Sequence, residues 1–226
     1  MRRDPIVLFD NGTHRCMMFD DLVSGEGVQS NQFLIIDHDQ YLLLDPGGDL
    51  TYVPLTMELS RHIPVQELTY IFASHQDPDI IASLDKWLLH TRAQVICSKL
   101  WARFLPHLTA NYLALSRGIN TYERIIALPD RGQSFAVGRC TLKAVPAHFL
   151  HSVGNFQLYD PLSKILFSGD MGASMLDDSG PVADFAAHVP SMLGFHRRYM
   201  ASNKACRLWA AMVRGMDVEM LSLIHI

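Results

Sequence analysis

The sequence predicts an α/β fold: a sandwich of two mixed β-sheets with helices on the outside. Three observations carry this expectation. LTYIFAS (68–74), a helical stretch and AQVICS (93–98) make a strand–helix–strand unit, which points to parallel pairing through a crossover. Two pairs of apolar runs, QFLIID with YLLLD and NFQLYD with KILFSGD, are joined by short polar breaks and predict hairpins. Helical stretches follow both β-rich halves and can cover their outer faces.

In chain order, Gln32 to Asp37 and Tyr41 to Asp45 form the first hairpin, and the second run ends in the turn signal DPGG. A short helix follows from about Tyr52 to His62. After the strand LTYIFAS, the apolar residues Ile80, Ile81, Leu84 and Leu88 have the spacing of an amphipathic helix. AQVICS is the next strand, Trp101 to Asn120 a helix, and ERIIALPD a return to the sheet. SFAV and CTLKAV are short strands separated by GR. NFQLYD (155–160) and KILFSGD (164–170) pair through PLS, and the tail from Asp184 to Val213 is mostly helical.

The chain has 226 residues, 49% of them hydrophobic and 19% charged, a globular balance that suits one domain over 1–226. A net charge of -4, with no block of five like charges, argues against a nucleic-acid binder. No run of 18 apolar residues predicts a membrane span, and the N-terminus lacks the apolar centre of a signal peptide, so a cytoplasmic location is expected. Cys16, Cys97, Cys140 and Cys206 are widely spaced; they are expected as reduced, partly buried thiols and not as a zinc cluster.

Three segments bring metal-ligand types to probable strand ends. HQDPDI offers His75, Asp77 and Asp79, although Asp77 before Pro78 also fits a helix N-cap, and Asp79 the positive end of that helix. AHFLHS offers His148 and His151, which share a helix face, divide into a ligand and a supporting residue, or are unrelated. KILFSGD ends in Asp170, a metal-ligand position or a turn-forming residue. Together, His75, Asp77, His151 and Asp170 make four ligands for one metal, and Asp79 with a bridging Asp170 makes part of a second. Three carboxylates against two histidines favour iron or manganese over zinc.

The segments GEGVQSNQFLIID, LLLDPGG, IFASHQDPDIIASLDKWL, AHFLHSVGNFQLYDP and KILFSGDMGAS occur in an order that resembles the metallo-β-lactamase superfold, over about residues 6 to 215. Within it the chain is similar to the diiron domain of flavodiiron proteins, and more narrowly to stand-alone oxygen-binding diiron proteins. The resemblance implies an αββα sandwich. The zinc hydrolases of this superfold carry HxHxDH. Here the corresponding residues run from His75 to Ile80, with Asp77 in place of the second histidine and Ile80 in place of the last. That change argues against a hydrolase.

The resemblance implies His75, Asp77, His151 and Asp170 on one iron and Asp79 with Asp170 on the other, with His148 supporting them from outside. FLH at 149–151 resembles the family's MLH-type sequence and selects His151 as the ligand. The family's last histidine lies in a PQHG-like segment, whereas this chain ends LSLIHI. The end is therefore expected to be truncated or non-native from about residue 221, with His225 near the last ligand position.

The implied cofactor is two iron ions (Fe2+/Fe3+) bridged by oxo, hydroxo or peroxo groups. The implied function is O2 binding at the diferrous site to give a peroxo-diferric adduct, for oxygen sensing or handling. These 226 residues contain nothing similar to a flavodoxin domain. The alternatives are an O2 or NO reductase served by a separate electron donor, and a metallo-hydrolase. A signalling or electron-donor protein is an expected partner, and a homodimer an expected assembly. HRRYM (196–200) is expected as a solvated basic face, Trp87, Trp101 and Trp209 as packing residues, and Met171, Met175 and Met192 as gap-fillers near the site.

Overall fold

The computed structural model describes residues 4–174 and 180–225, leaving aside the side chains of 110–114 and 116. Met175 lies outside the described residues. One sheet holds β1 (Ile6–Asp10), β2 (His14–Phe19), β3 (Gln32–Asp37), β4 (Gln40–Leu44), β5 (Tyr70–Ala73), β6 (Gln94–Ser98) and β7 (Ile125–Leu128), in that spatial order. The pairs from β1 to β4 are antiparallel, and those from β4 to β7 are parallel. The other sheet has the order β12-β11-β10-β9-β8, formed by β8 (Gln133–Val137), β9 (Cys140–Pro146), β10 (Phe156–Asp160), β11 (Ile165–Gly169) and β12 (Met220–Leu223). β8 to β11 pair antiparallel, and β12 joins β11 in parallel. Both sheets are mixed, as the sequence predicts.

Alternation along the strands explains the layering. On β3, Phe33 and Ile35 enter the core between the sheets, while Leu34 faces a second core under helices α1 (Asp49–Leu59) and α3 (Leu84–His90). On β11, Ile165 and Phe167 face inward and Leu166 faces outward against Trp209 and Val213 of α6 (Asn203–Val213). Phe33 and Phe167 meet across the sheets with ring centroids 5.0 Å apart. The result is four layers: helices, sheet, sheet, helices.

Three expectations change in detail. The helix after DPGG begins at Asp49 and ends at Leu59, earlier at both ends than the predicted 52–62. The predicted helix over 80–88 is divided into α2 (Pro78–Ile81) and α3, because the Ser83 side chain and backbone N–H both donate to the Gly47 carbonyl. The predicted helix over 101–120 contracts to α4 (Pro106–Arg117), which starts at a proline whose missing N–H suits a first turn. The β1–β2 hairpin is a further element; its turn holds Asn11 and Gly12, and Gly12 has φ +90°.

Candidate metal centre

The strand ends that face one end of the sandwich assemble the centre. Phe156 N donates to Ser74 O at 3.0 Å, which brings the start of β10 to the end of β5. The DPGG turn packs against the start of α2: Gly47 N donates to Ile80 O at 2.9 Å, and a Cβ on Gly48 would lie 2.7 Å from Pro78 O. This close approach fixes the HQDPDI segment beneath β4.

Asp170, at the end of β11, presents its two carboxylate oxygens to two different groups. Oδ2 lies 3.3 Å from His75 Nε2 and 2.8 Å from His151 Nε2. Asp77 Oδ2 lies 3.1 Å from the same His151 nitrogen and 3.8 Å from His75 Nε2. Asp170 Oδ1 lies 3.5 Å from His225 Nε2, which is 3.3 Å from Asp79 Oδ2. The six predicted ligand residues thus converge, with Asp170 between two sets.

His75 and Asp170 are 2% and 1% exposed. Among the described residues, His75 Nε2 and Asp170 Oδ1 are buried without a hydrogen-bond partner. Two buried polar atoms left unsatisfied and aimed at their neighbours fit an ion as the missing partner. His75, His151 and Asp170 present ligand atoms within 4.8 Å of one another.

Electrostatics favour a cation. Burial pushes the His75 imidazole down and keeps it neutral, the form that binds metal. Hydrogen bonds that the Asp170 and Asp77 carboxylates accept lift His151 to about 10. For Asp170, burial opposes ionisation but His151, His75 and His225 outweigh it, so the carboxyl lies below its usual range. Asp77 is lowered chiefly by His151. Asp79 is also lowered, its bond to His225 prevailing over burial.

A second set of residues orients the first. Ser74 Oγ bonds His75 Nδ1 at 2.8 Å, and His225 Nδ1 donates to Gln29 O at 2.7 Å. Gln76 Nε2 donates to Asp77 Oδ1 at 3.2 Å, and Gln76 Oε1 accepts from the Ser152 hydroxyl at 2.5 Å. Asp45 Oδ1 accepts the Ser74 N–H at 2.8 Å, and burial raises this carboxyl to about 7. The rings of Phe195 and Tyr199, on α5 (Phe185–Tyr199), lie 6.2 and 5.6 Å from His151. Sequence reasoning missed these supports; only Asp45, inside the DPGG signal, carried a visible mark.

Several residues differ from expectation. Asp77 occupies the N-cap position of α2, but its side chain makes no capping hydrogen bond; it turns to His151 instead. His148 bonds the Asp130 carbonyl at 2.7 Å and packs on Phe156, so its hydrogen bond supports the loop and not a ligand. The 147–155 segment is a series of turns, which separates His148 from His151. His196 of the basic patch accepts the Gly172 N–H at 3.0 Å, tying α5 to the segment after Asp170. Ile80 is fully buried in the inner core. His225 reaches the centre because β12 pairs with β11, Ile224 N donates to Gly169 O, and Asn31 N donates to Ile224 O. Trp87, Trp101 and Trp209 donate to Ser83, Val153 and Gln157, as packing residues with satisfied N–H groups.

The layers and the histidine–aspartate cluster define a metallo-β-lactamase-like protein with a carboxylate-rich metal centre. Residues 28–225 match the family described as "ODP family beta lactamase", and the chain belongs to that family. A structure described as the peroxy diiron species of the chemotaxis sensor ODP is 37% identical, with a TM-score of 0.85, covering 99% of this chain and 88% of that one. The apo state of the chemotaxis sensor ODP from T. denticola is also 37% identical, with a TM-score of 0.83, covering 98% and 86%. A flavo di-iron protein mutant from Thermotoga maritima shares the fold, at 19% identity and a TM-score of 0.76, covering 100% of this chain and 57% of its own. An uncharacterized protein of Methanocaldococcus jannaschii is 28% identical over 144 residues, 64% of this chain and 34% of its own length. A putative diflavin flavoprotein of Synechocystis sp. is 35% identical over 86 residues, 36% of this chain and 14% of its own. The chain therefore matches about a third or less of these two curated relatives. No helix among the described residues is long and apolar enough to cross a membrane.

Proposed function

We propose that this protein is a non-haem diiron protein that binds O2 and acts in oxygen sensing or handling. The observation that carries this reading is the placement of Asp170, whose oxygens face two separate sets of ligand groups. His75, Asp77, His151 and Asp170 would hold one iron; Asp79, Asp170 and His225 would hold the other. The likeness to a chemotaxis sensor described with a peroxy diiron species supports the diiron reading.

When bound, the iron pair supplies the one-electron redox steps and the open coordination that dioxygen needs. The chain's own residues prepare the site. Ser74 and Gln29 hold Nδ1 of His75 and His225, so that each Nε2 faces the centre. Gln76 fixes the outer oxygen of Asp77. Three carboxylates compensate the positive charge of a metal pair and favour its higher oxidation state. Ile80 supplies no ligand where a hydrolase has histidine, leaving the Asp79 and His225 side with fewer protein donors. Leu150, next to His151 in the chain, is buried and packs in one apolar cluster with Ala147 and Met171.

The proposed partner is a signalling protein that responds to the centre, with cytoplasmic location and a homodimer as further parts of this reading. Anaerobic purification, elemental analysis and an absorption spectrum before and after air test it. Near two irons per chain and a new visible band on oxygenation are expected. Zinc in place of iron, or a spectrum indifferent to oxygen, would overturn the proposal. Sustained O2 consumption with a supplied reductant would instead identify a reductase.

A further inference from the structure

We propose that His14, Cys16, Cys140 and Asp160 form a second metal site, for a zinc-like divalent cation, at the other end of the sandwich. β10 begins beside Ser74 and ends at Asp160, so this cluster lies a strand length from the first centre, roughly 14 Å for a five-residue strand. None of its residues belongs to the diiron reading, and the inference stands apart from it.

The cluster joins both sheets. His14 and Cys16 come from β2, Cys140 from the start of β9 and Asp160 from the end of β10. His14, Cys16 and Asp160 are fully buried, and Cys140 is 9% exposed. His14 Nε2 lies 2.8 Å from Asp160 Oδ2 and 3.6 Å from Cys16 Sγ. Cys16 Sγ is 3.4 Å from Asp160 Oδ2, and Cys140 Sγ is 3.5 Å from Asp160 Oδ1. Zinc bonds of about 2.0 to 2.3 Å place tetrahedral neighbours about 3.3 to 3.8 Å apart. The His14–Cys16 and Cys16–Asp160 Oδ2 separations fall in that range, Cys140 lies against the other Asp160 oxygen, and His14, Cys140 and Asp160 present ligand atoms within 4.8 Å of one another. The short one is the His14–Asp160 hydrogen bond, which an ion would replace.

The surroundings suit metal ligation. Asp37 Oδ2 bonds His14 Nδ1 at 2.9 Å, the carboxylate–histidine arrangement that steers Nε2 toward a metal. Asp37 Oδ1 is in turn held by the Arg139 N–H at 2.6 Å and by His38 at 2.8 Å. Asp160 also accepts from Leu162 N at 3.0 Å and from the Ser163 hydroxyl. A cleft of about 540 Å³ lined by Asp37, Arg139, Cys140 and Leu162 supplies an entry path. Two sulfurs, one imidazole and one carboxylate match a borderline-soft ion, whereas the first centre offers only nitrogen and oxygen.

Without metal, burial pushes the Cys16 thiol far up and Cys140 to about 12, so both remain protonated. Asp160 and Asp37 raise His14 against the effect of burial. Binding would release the two thiol protons and the proton on His14 Nε2 to solvent, and affinity should fall as pH falls.

The test is an anaerobic titration of the reduced full chain with cobalt(II). A thiolate-to-cobalt charge-transfer band distinguishes this cluster from the first centre, which contains no sulfur ligand. The expected result is a band that saturates and is displaced by zinc. It should be lost in Cys16→Ser and Cys140→Ser, and kept in Cys97→Ser and in the His75→Ala/His151→Ala double variant. If the cysteine variants fail to fold, Asp160→Asn serves instead, and at least tenfold weaker binding is expected. Absence of the band in the wild-type chain, or its persistence when Cys16 and Cys140 are both replaced, would overturn the site and leave a hydrogen-bonded network.

Discussion

His225 Nε2 lies 3.5 Å from Asp170 Oδ1, on the opposite side of that carboxylate from His151. The contact ties the last described strand to the centre and gives the proposed second iron position its only imidazole among the described residues. Replacing His225 by Ala should therefore remove one metal selectively. Iron content should fall from two towards one per chain, with His75, Asp77 and His151 still holding the other. A variant that retains two irons would exclude His225 as a ligand.

Asp170→Asn should act on both positions. The amide keeps the shape but loses the charge and one acceptor, so both irons should be lost together. The surrounding histidines would also lose their shared partner, at a cost of about 1–3 kcal/mol in the metal-free chain. Elemental analysis and a denaturant melt check the two effects separately.

Ser74→Ala leaves every proposed ligand in place and removes only the hydroxyl on His75 Nδ1. Metal affinity should fall about 10- to 100-fold, as is usual when a ligand's supporting hydrogen bond is deleted. Competition with a chelator measures the change. Unchanged affinity would mean that packing alone orients the His75 ring.

Strand-end ligands were visible in the sequence because each follows an apolar run: His75 after LTYIFAS, Asp170 after KILFSG. The crossover and both predicted hairpins were visible for the same reason. The β1–β2 hairpin was not recognised, although Asn11-Gly12 is a turn signal, because β1 is largely exposed and its apolar run is short. The role of Asp77 was ambiguous, since the same Asp-Pro pair starts a helix and supplies a ligand. His148 and His151 could be ranked only by resemblance. The approach of Cys16 and Cys140 to the two oxygens of Asp160 had no local signal at all, because strands of different sheets create it.

Asp45 provides a test in pH. Its carboxyl is buried and lifted from 3.8 to about 7, with Asp170 and Asp79 adding repulsion. In the metal-free chain the folded state therefore holds a proton on Asp45 between about pH 4 and 7 that the unfolded state has released. Stability from this group is fully present below about pH 4 and declines as pH rises through 7. The whole effect is at most about 4 kcal/mol, at about 1.4 kcal/mol per pH unit. Asp45→Asn retains an acceptor for the Ser74 N–H and removes the titration. Its melting temperature should vary less between pH 5 and 8 than that of the wild type, and should match or exceed it at pH 8. Parallel pH profiles for the two chelated proteins would show that Asp45 is ionised at neutral pH in the fold, and that water or a neighbouring donor satisfies its second oxygen.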